Sequence, residues 1–188
     1  MTRKLSADDA LIVLDVQRDF CPGGALAVPE GDEVVPVLNR WIEVAGSAGV
    51  PVYASRDWHP KNHVSFAQQG GPWPPHCVQE SEGAKFHPAL KLPGSARLIT
   101  KGTRFDRDQI SVFDGTGLRE ELHRRGIRRL WIGGLAEDVC VRASVLDALK
   151  EGFEVHLIEN ATRPVQPARG AEALEEMRRA GAVVEEDD

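Results

Sequence analysis

Apolar runs of strand length alternate with segments of helical spacing along almost the whole chain, and that alternation restricts it to an α/β architecture. Strands are expected at residues 10–16, 50–55, 97–101, 129–133, 154–159 and 182–185. Between them, Val34, Val37, Leu38, Trp41, Ile42 and Ala45 recur on one face of a helix at residues 34–48. Further helices are expected at residues 118–125, 139–150 and 168–180, the third of these four stopped by Gly152. Strand–helix alternation of this kind implies a mostly parallel sheet covered on both faces, a three-layer αβα sandwich. At 188 residues the chain is long enough for one such core. It contains no internal repeat, linker or low-complexity tract, so a single domain over residues 1–188 is expected.

In open α/β sheets ligands bind beyond the carboxyl ends of the strands. Four chemically capable groups fall there. Asp15 lies near the end of the first strand, Asp57 just after the second, Lys101 at the end of the third, and a loop from Gly133 to Cys140 follows the fourth. Cys140 is expected in the first turn of a helix, where free N–H groups and Lys101 would lower the thiol pKa and could hold an oxyanion. Asp15 is then the natural acid/base group. Each residue has a plainer alternative. Cys140 can be a small buried hydrophobe where helix meets sheet, Asp15 a loop cap, and Lys101 a solvated cation. Cys21 and Cys77 read as packing residues.

Residues 57–93 are irregular and rich in Gly, Pro, His and Trp, too long for an idle connection. Asp57 and His59 stand two apart, so in an extended segment both point to one side. His76 closes the far end of the loop. Carboxylate plus two imidazoles suits one divalent ion in an open shell, with zinc the first choice and iron or manganese the others. His63 is either a fourth ligand or a residue that hydrogen-bonds the loop, and a metal-free loop held by histidine hydrogen bonds is the alternative to the whole site. Phe20 and Trp73 either sandwich a flat ring or anchor their loops. His87, His123 and His156 lie elsewhere and read as surface or packing residues.

The net charge of −6 argues against nucleic acid as the main partner. No apolar run reaches the ~18–20 residues needed to cross a bilayer. The N-terminal stretch lacks the apolar region of a signal peptide, and three cysteines cannot all pair within the chain. A reducing, cytoplasmic setting is expected, with a small molecule as partner and homo-oligomerisation left open.

The segments Leu14–Phe20, Arg56-Asp57-Trp58-His59-Pro60, Trp73-Pro74-Pro75-His76-Cys77-Val78, Lys101-Gly102-Thr103 and Gly134–Val141 together resemble the nicotinamidase branch of the isochorismatase-like cysteine hydrolases. The likeness spans residues 10–184. It implies a triad of Asp15, Lys101 and Cys140, metal ligation by Asp57, His59 and His76, ring contacts from Phe20 and Trp73, substrate contact at Ala136, and a cis peptide between Leu135 and Ala136. The activity it implies is hydrolysis of nicotinamide to nicotinate and ammonia in NAD salvage. The alternative is another metal-containing amide hydrolase of the same family, acting on a different carboxamide or carbamoyl group. Two stretches depart from the branch pattern. Ala136-Glu137-Asp138-Val139-Cys140 stands where Ala-Thr-Asp-Tyr-Cys is usual, and Ile110-Ser111-Val112-Phe113 where Tyr-Ser-Ala-Phe is usual. Neither removes a triad or metal residue.

Overall fold

The computed structural model describes residues 5–186. Residues 1–4, part of the N-terminal stretch considered above, and 187–188 lie outside the described residues. The elements run β1 (Asp9–Leu14), α1 (Val34–Ala48), β2 (Val52–Asp57), β3 (Arg97–Lys101), α2 (Leu118–Arg124), β4 (Arg129–Leu135), α3 (Arg142–Lys150), β5 (Glu154–Arg163), α4 (Pro167–Ala180) and β6 (Val183–Glu185). The six strands form one sheet in the order β3-β2-β1-β4-β5-β6. Every pairing within it is parallel.

β1 is central and buried along its full length, as its unbroken apolar run requires. Its side chains alternate between two cores. Leu11 and Val13 join the α1 side, with Leu38, Trp41 and Ala45. Ala10, Ile12 and Leu14 join the opposite side, under Leu118 and Leu122 of α2, Val145 and Ala148 of α3, and Ala173 and Met177 of α4. The apolar stripe of α1 therefore faces the sheet, and Gly49 in the left-handed conformation ends the helix by donating to the carbonyls of Ala45 and Gly46.

The strands run further than their apolar segments. β2 reaches Asp57, which pairs in register with Lys101; Asp57 is thus the last residue of the strand and not the first of the loop. β4 continues to Leu135 because β5, after a register shift, still pairs Gly134 with Thr162 and Leu135 with Arg163. Gly134 has φ +127°, and a Cβ there would lie 2.1 Å from the Leu14 carbonyl oxygen. No side chain fits between the two central strands at this point. Gly134→Ala is expected to cost about 2–4 kcal/mol, which thermal unfolding would register as a fall in Tm of roughly 5–10 °C.

The strand order places β1 beside β4, while the chain leaves β1 toward α1 on one face and β4 toward α3 on the other. A crevice opens where the two connections part, the usual ligand position in such sheets.

Candidate active site

Asp15 is the first residue beyond β1 and has φ +48°, a region few non-glycine residues adopt. It is held there from β2: its N–H donates to the Ser55 carbonyl at 3.1 Å, and the Ser55 hydroxyl donates to its Oδ1 at 2.7 Å. The Lys101 ammonium lies 2.9 Å from Asp15 Oδ2 and 2.6 Å from Asp57 Oδ1. It also lies 3.5 Å from the Cys140 Sγ. Ligand atoms of Asp15, Asp57 and Cys140 fall within 4.8 Å of one another. Asp15 and Lys101 are wholly buried, with Asp57 and Cys140 nearly so. The structure thus brings together the three residues nominated as a triad. It also ties them to a proposed metal ligand through Lys101, a link that the sequence did not suggest.

Burial acts first on every charge here. It would lower the Lys101 pKa, but the Asp15 and Asp57 carboxylates hold it well above the ordinary lysine value. Burial raises Asp15, offset in part by Lys101 and reinforced by Asp57. Asp57 feels the same burial, yet Lys101 and His59 hold it well below the usual carboxylate range. The Cys140 thiol corrects an expectation. Burial, then the Asp15 and Asp57 carboxylates, push its pKa well up, although Lys101 pulls the other way. The helix start expected to lower it is different too: Cys140 sits in a π-helical turn, Glu137–Val141, ahead of α3. The resting thiol therefore keeps its proton beside a carboxylate able to accept it.

The turn begins at a cis peptide between Leu135 and Ala136. The Ala136 carbonyl accepts the N–H groups of both Val139 and Val141 at 3.1 Å. Asp138 points away from the thiol and accepts the N–H groups of Val165 and Gln166, at 2.8 and 3.2 Å, which ties the turn to the start of α4.

Ligand atoms of Asp57, His59 and His76 also lie within 4.8 Å of one another, all three residues buried. His59 Nδ1 bonds the Gly102 carbonyl at 2.9 Å and His76 Nδ1 the Pro74 carbonyl at 2.8 Å. Donation to those carbonyls leaves each Nε2 as a lone-pair donor, the arrangement typical of metal-binding histidines. Two imidazoles that each aim Nε2 at a shared point, with a carboxylate beside them, fit a divalent ion. His63 is not in this group. Its ring stacks on His59 at 4.0 Å between centroids, while Nδ1 meets the Ser65 hydroxyl at 2.7 Å and Nε2 the Arg107 carbonyl at 3.2 Å. It holds the loop, one of its two expected roles.

Phe20, Trp73, Ile110, Ala136 and Val139 wall a cavity of about 490 Å³, counted out to its open mouth, with Asp57, His59, His76 and Cys140 on its lining. The ring contacts and the backbone contact nominated from the sequence therefore face the same space. Cys21 and Cys77 pack in the α1-side core. His123 stacks on Phe153 and His156 on Trp131, away from the site.

Three supporting residues escaped the sequence. Phe66 is fully buried and sets its ring edge against His59, His63 and His76, at 5.5–5.7 Å between centroids. Gln17 donates to the Asp57 and Ala84 carbonyls and accepts the Asp57 N–H, fixing the end of β2. Ser55 orients Asp15. Only Gln17 carried a signal, as a polar residue in the Leu14–Phe20 motif around Asp15.

The sequence matches the isochorismatase domain family over residues 9–188. It is 44% identical to a nicotinamidase of Escherichia coli, covering 93% of each chain. The fold superposes on a pyrazinamidase of Pyrococcus horikoshii in complex with zinc with a TM-score of 0.93 and 47% identity, covering 96% of this chain and 99% of that one. For PnC1 from L. infantum in complex with nicotinate the TM-score is 0.89 and the identity 39%, over 99% of this chain and 96% of that one. With the family model spanning nearly its whole length and relatives this close, the chain belongs to the nicotinamidase branch of the isochorismatase-like hydrolases.

Proposed function

We propose that the chain hydrolyses nicotinamide to nicotinate and ammonia through a thioester on Cys140, feeding NAD salvage. The observation that carries this is Cys140 on the lining of a small cavity with aromatic walls, backed by the buried Lys101 and Asp15 and beside Asp57, His59 and His76. Asp15 takes the thiol proton as Sγ attacks the carboxamide carbon. Backbone N–H groups of Ala136 and Cys140 face the oxygen that becomes negative. Asp15 returns its proton to the leaving nitrogen, the C–N bond breaks, and ammonia departs. Asp15 then draws a proton from water, which attacks the thioester carbon; the C–S bond breaks, Asp15 gives that proton to Sγ, and the acid leaves with the thiol and carboxylate both restored. Lys101 stays protonated throughout and balances the charge that moves between Asp15 and Cys140.

Asp57, His59 and His76 would hold a divalent ion, zinc by the precedent of the Pyrococcus neighbour, which when bound would supply a Lewis acid able to hold the pyridine nitrogen and so orient the ring. Phe20 and Trp73 would clasp the ring faces. A cytoplasmic setting agrees with three cysteines that are all free thiols.

Ammonia release tests the proposal. Nicotinamide should be turned over and benzamide, which lacks the ring nitrogen, should be poorer by ~10²-fold in kcat/KM. Chelation should cut nicotinamide turnover sharply and leave the smaller benzamide rate nearly unchanged, with elemental analysis giving about one divalent ion per chain before treatment. Equal rates on both amides would remove the role given to the ring nitrogen. No ammonia from nicotinamide would remove the function.

A further inference from the structure

Glu137 is the first residue of the nucleophile turn and is 5% exposed. No hydrogen bond or ion pair to its carboxyl is found among the described residues. α4 comes so close that a Cβ on Gly170 would lie 2.7 Å from Glu137 Oε1 and 2.7 Å from Pro164 Cγ. Glycine is needed there because the first turn of α4 closes directly on this carboxyl. The charged groups acting on Glu137 are few. From β5 come Glu159 and Arg163, and from its own turn Asp138; α4 presents Gly170. The single cation among them is engaged elsewhere, since Arg163 lies 2.9 Å from Glu33 and 3.8 Å from Glu30. A carboxylate on a side chain only 5% exposed, with no protein donor among the described residues and under the repulsion of two other acids, is costly, and the neutral acid is the form that fits.

We propose that Glu137 is a positioning residue for the Cys140 turn: as an uncharged acid it lets the start of α4 close on the turn, and on ionising it loosens that packing. The proposal builds on the amide hydrolysis above, but its physical part does not depend on it. Burial, then repulsion from Glu159 and Asp138, raise the Glu137 pKa to about 7, so the transition falls at neutral pH. The sign follows from linkage. From the unfolded value of 4.5 up to about 7, the unfolded chain ionises and the folded chain does not. Stability from this site therefore falls across that window and is level above it.

Glu137→Gln, isosteric and always neutral, is the test variant. Its Tm should exceed that of the wild type by a margin that grows from pH 4.5 to 7 and then holds. Its kcat should match the wild type near pH 6, and the ratio of mutant to wild-type kcat should rise roughly three- to tenfold by pH 8.5, with little change in KM. Glu137→Asp, which withdraws the carboxyl from α4, should lower kcat at every pH. A kcat ratio flat with pH, or a Tm margin flat with pH, would overturn the proposal. If the wild type releases no ammonia from nicotinamide, the function above fails. The Tm margin and the rate of Cys140 alkylation by iodoacetamide, compared between the two proteins across pH, would still decide the role of Glu137.

Discussion

Cys140→Ala is expected to lower ammonia release from nicotinamide by at least ~10⁴-fold while leaving the protein folded. The size follows from the thiol's part in bond making. Without Sγ there is no thioester, and neither Asp15 nor the oxyanion-binding N–H groups can act on the carboxamide except through an unassisted water. The fold should tolerate the change because Cys140 is a small side chain at the cavity floor, 8% exposed, whose removal leaves α3 and β4 in place. Two measurements separate this from simple misfolding. Thermal unfolding of the variant should stay within a few degrees of the wild type. Mass spectrometry of the wild type treated with iodoacetamide should find modification at Cys140, which lines the open cavity beside an acceptor for its proton, whereas Cys21 and Cys77 are packed in the α1-side core and out of reach. Retention of even a hundredth of the activity by Cys140→Ala would be incompatible with a covalent mechanism.

Lys101→Met should be nearly as damaging to activity, and should cost stability as well. Asp15 and Asp57 share the one ammonium, at 2.9 and 2.6 Å. Removing it leaves two buried carboxylates facing each other, a situation that typically costs about 3–5 kcal/mol. Asp15 would then retain its proton and could not accept that of the thiol, so kcat should fall by ~10³-fold or more. Asp57 would be drawn toward protonation, weakening the metal site, and metal occupancy should drop alongside activity. Lys101→Arg keeps the charge but changes its shape and reach, and should restore stability better than rate. Asp15→Asn provides the contrast: it should remove turnover yet retain the metal, because Asp15 has no place in the Asp57, His59, His76 group. If Lys101→Met kept its Tm, or if Asp15→Asn stripped the metal while Lys101→Met did not, the bridging role of Lys101 would be wrong.

The alternation of apolar runs, the strand-end positions of Asp15 and Lys101, and the two-residue spacing of Asp57 and His59 were all determined by the sequence alone. They rest on interactions between near neighbours, and local periodicity records those faithfully. Strand lengths were less legible. β4 and β5 outrun their apolar stretches because pairing between Leu135 and Arg163 is a property of two segments together. Only the tertiary structure decided the strand order that puts β1 beside β4. It also decided the register that sets Asp57 opposite Lys101, and with it the ammonium shared by two acids. Ser55 and Phe66 could not be found in advance, since each matters through a neighbour distant in the chain. The Cys140 pKa differs in direction from the one its sequence position suggested, for a related reason. Position relative to a helix start can be read locally, but desolvation and the nearness of two carboxylates exist only once the strands have assembled around the thiol.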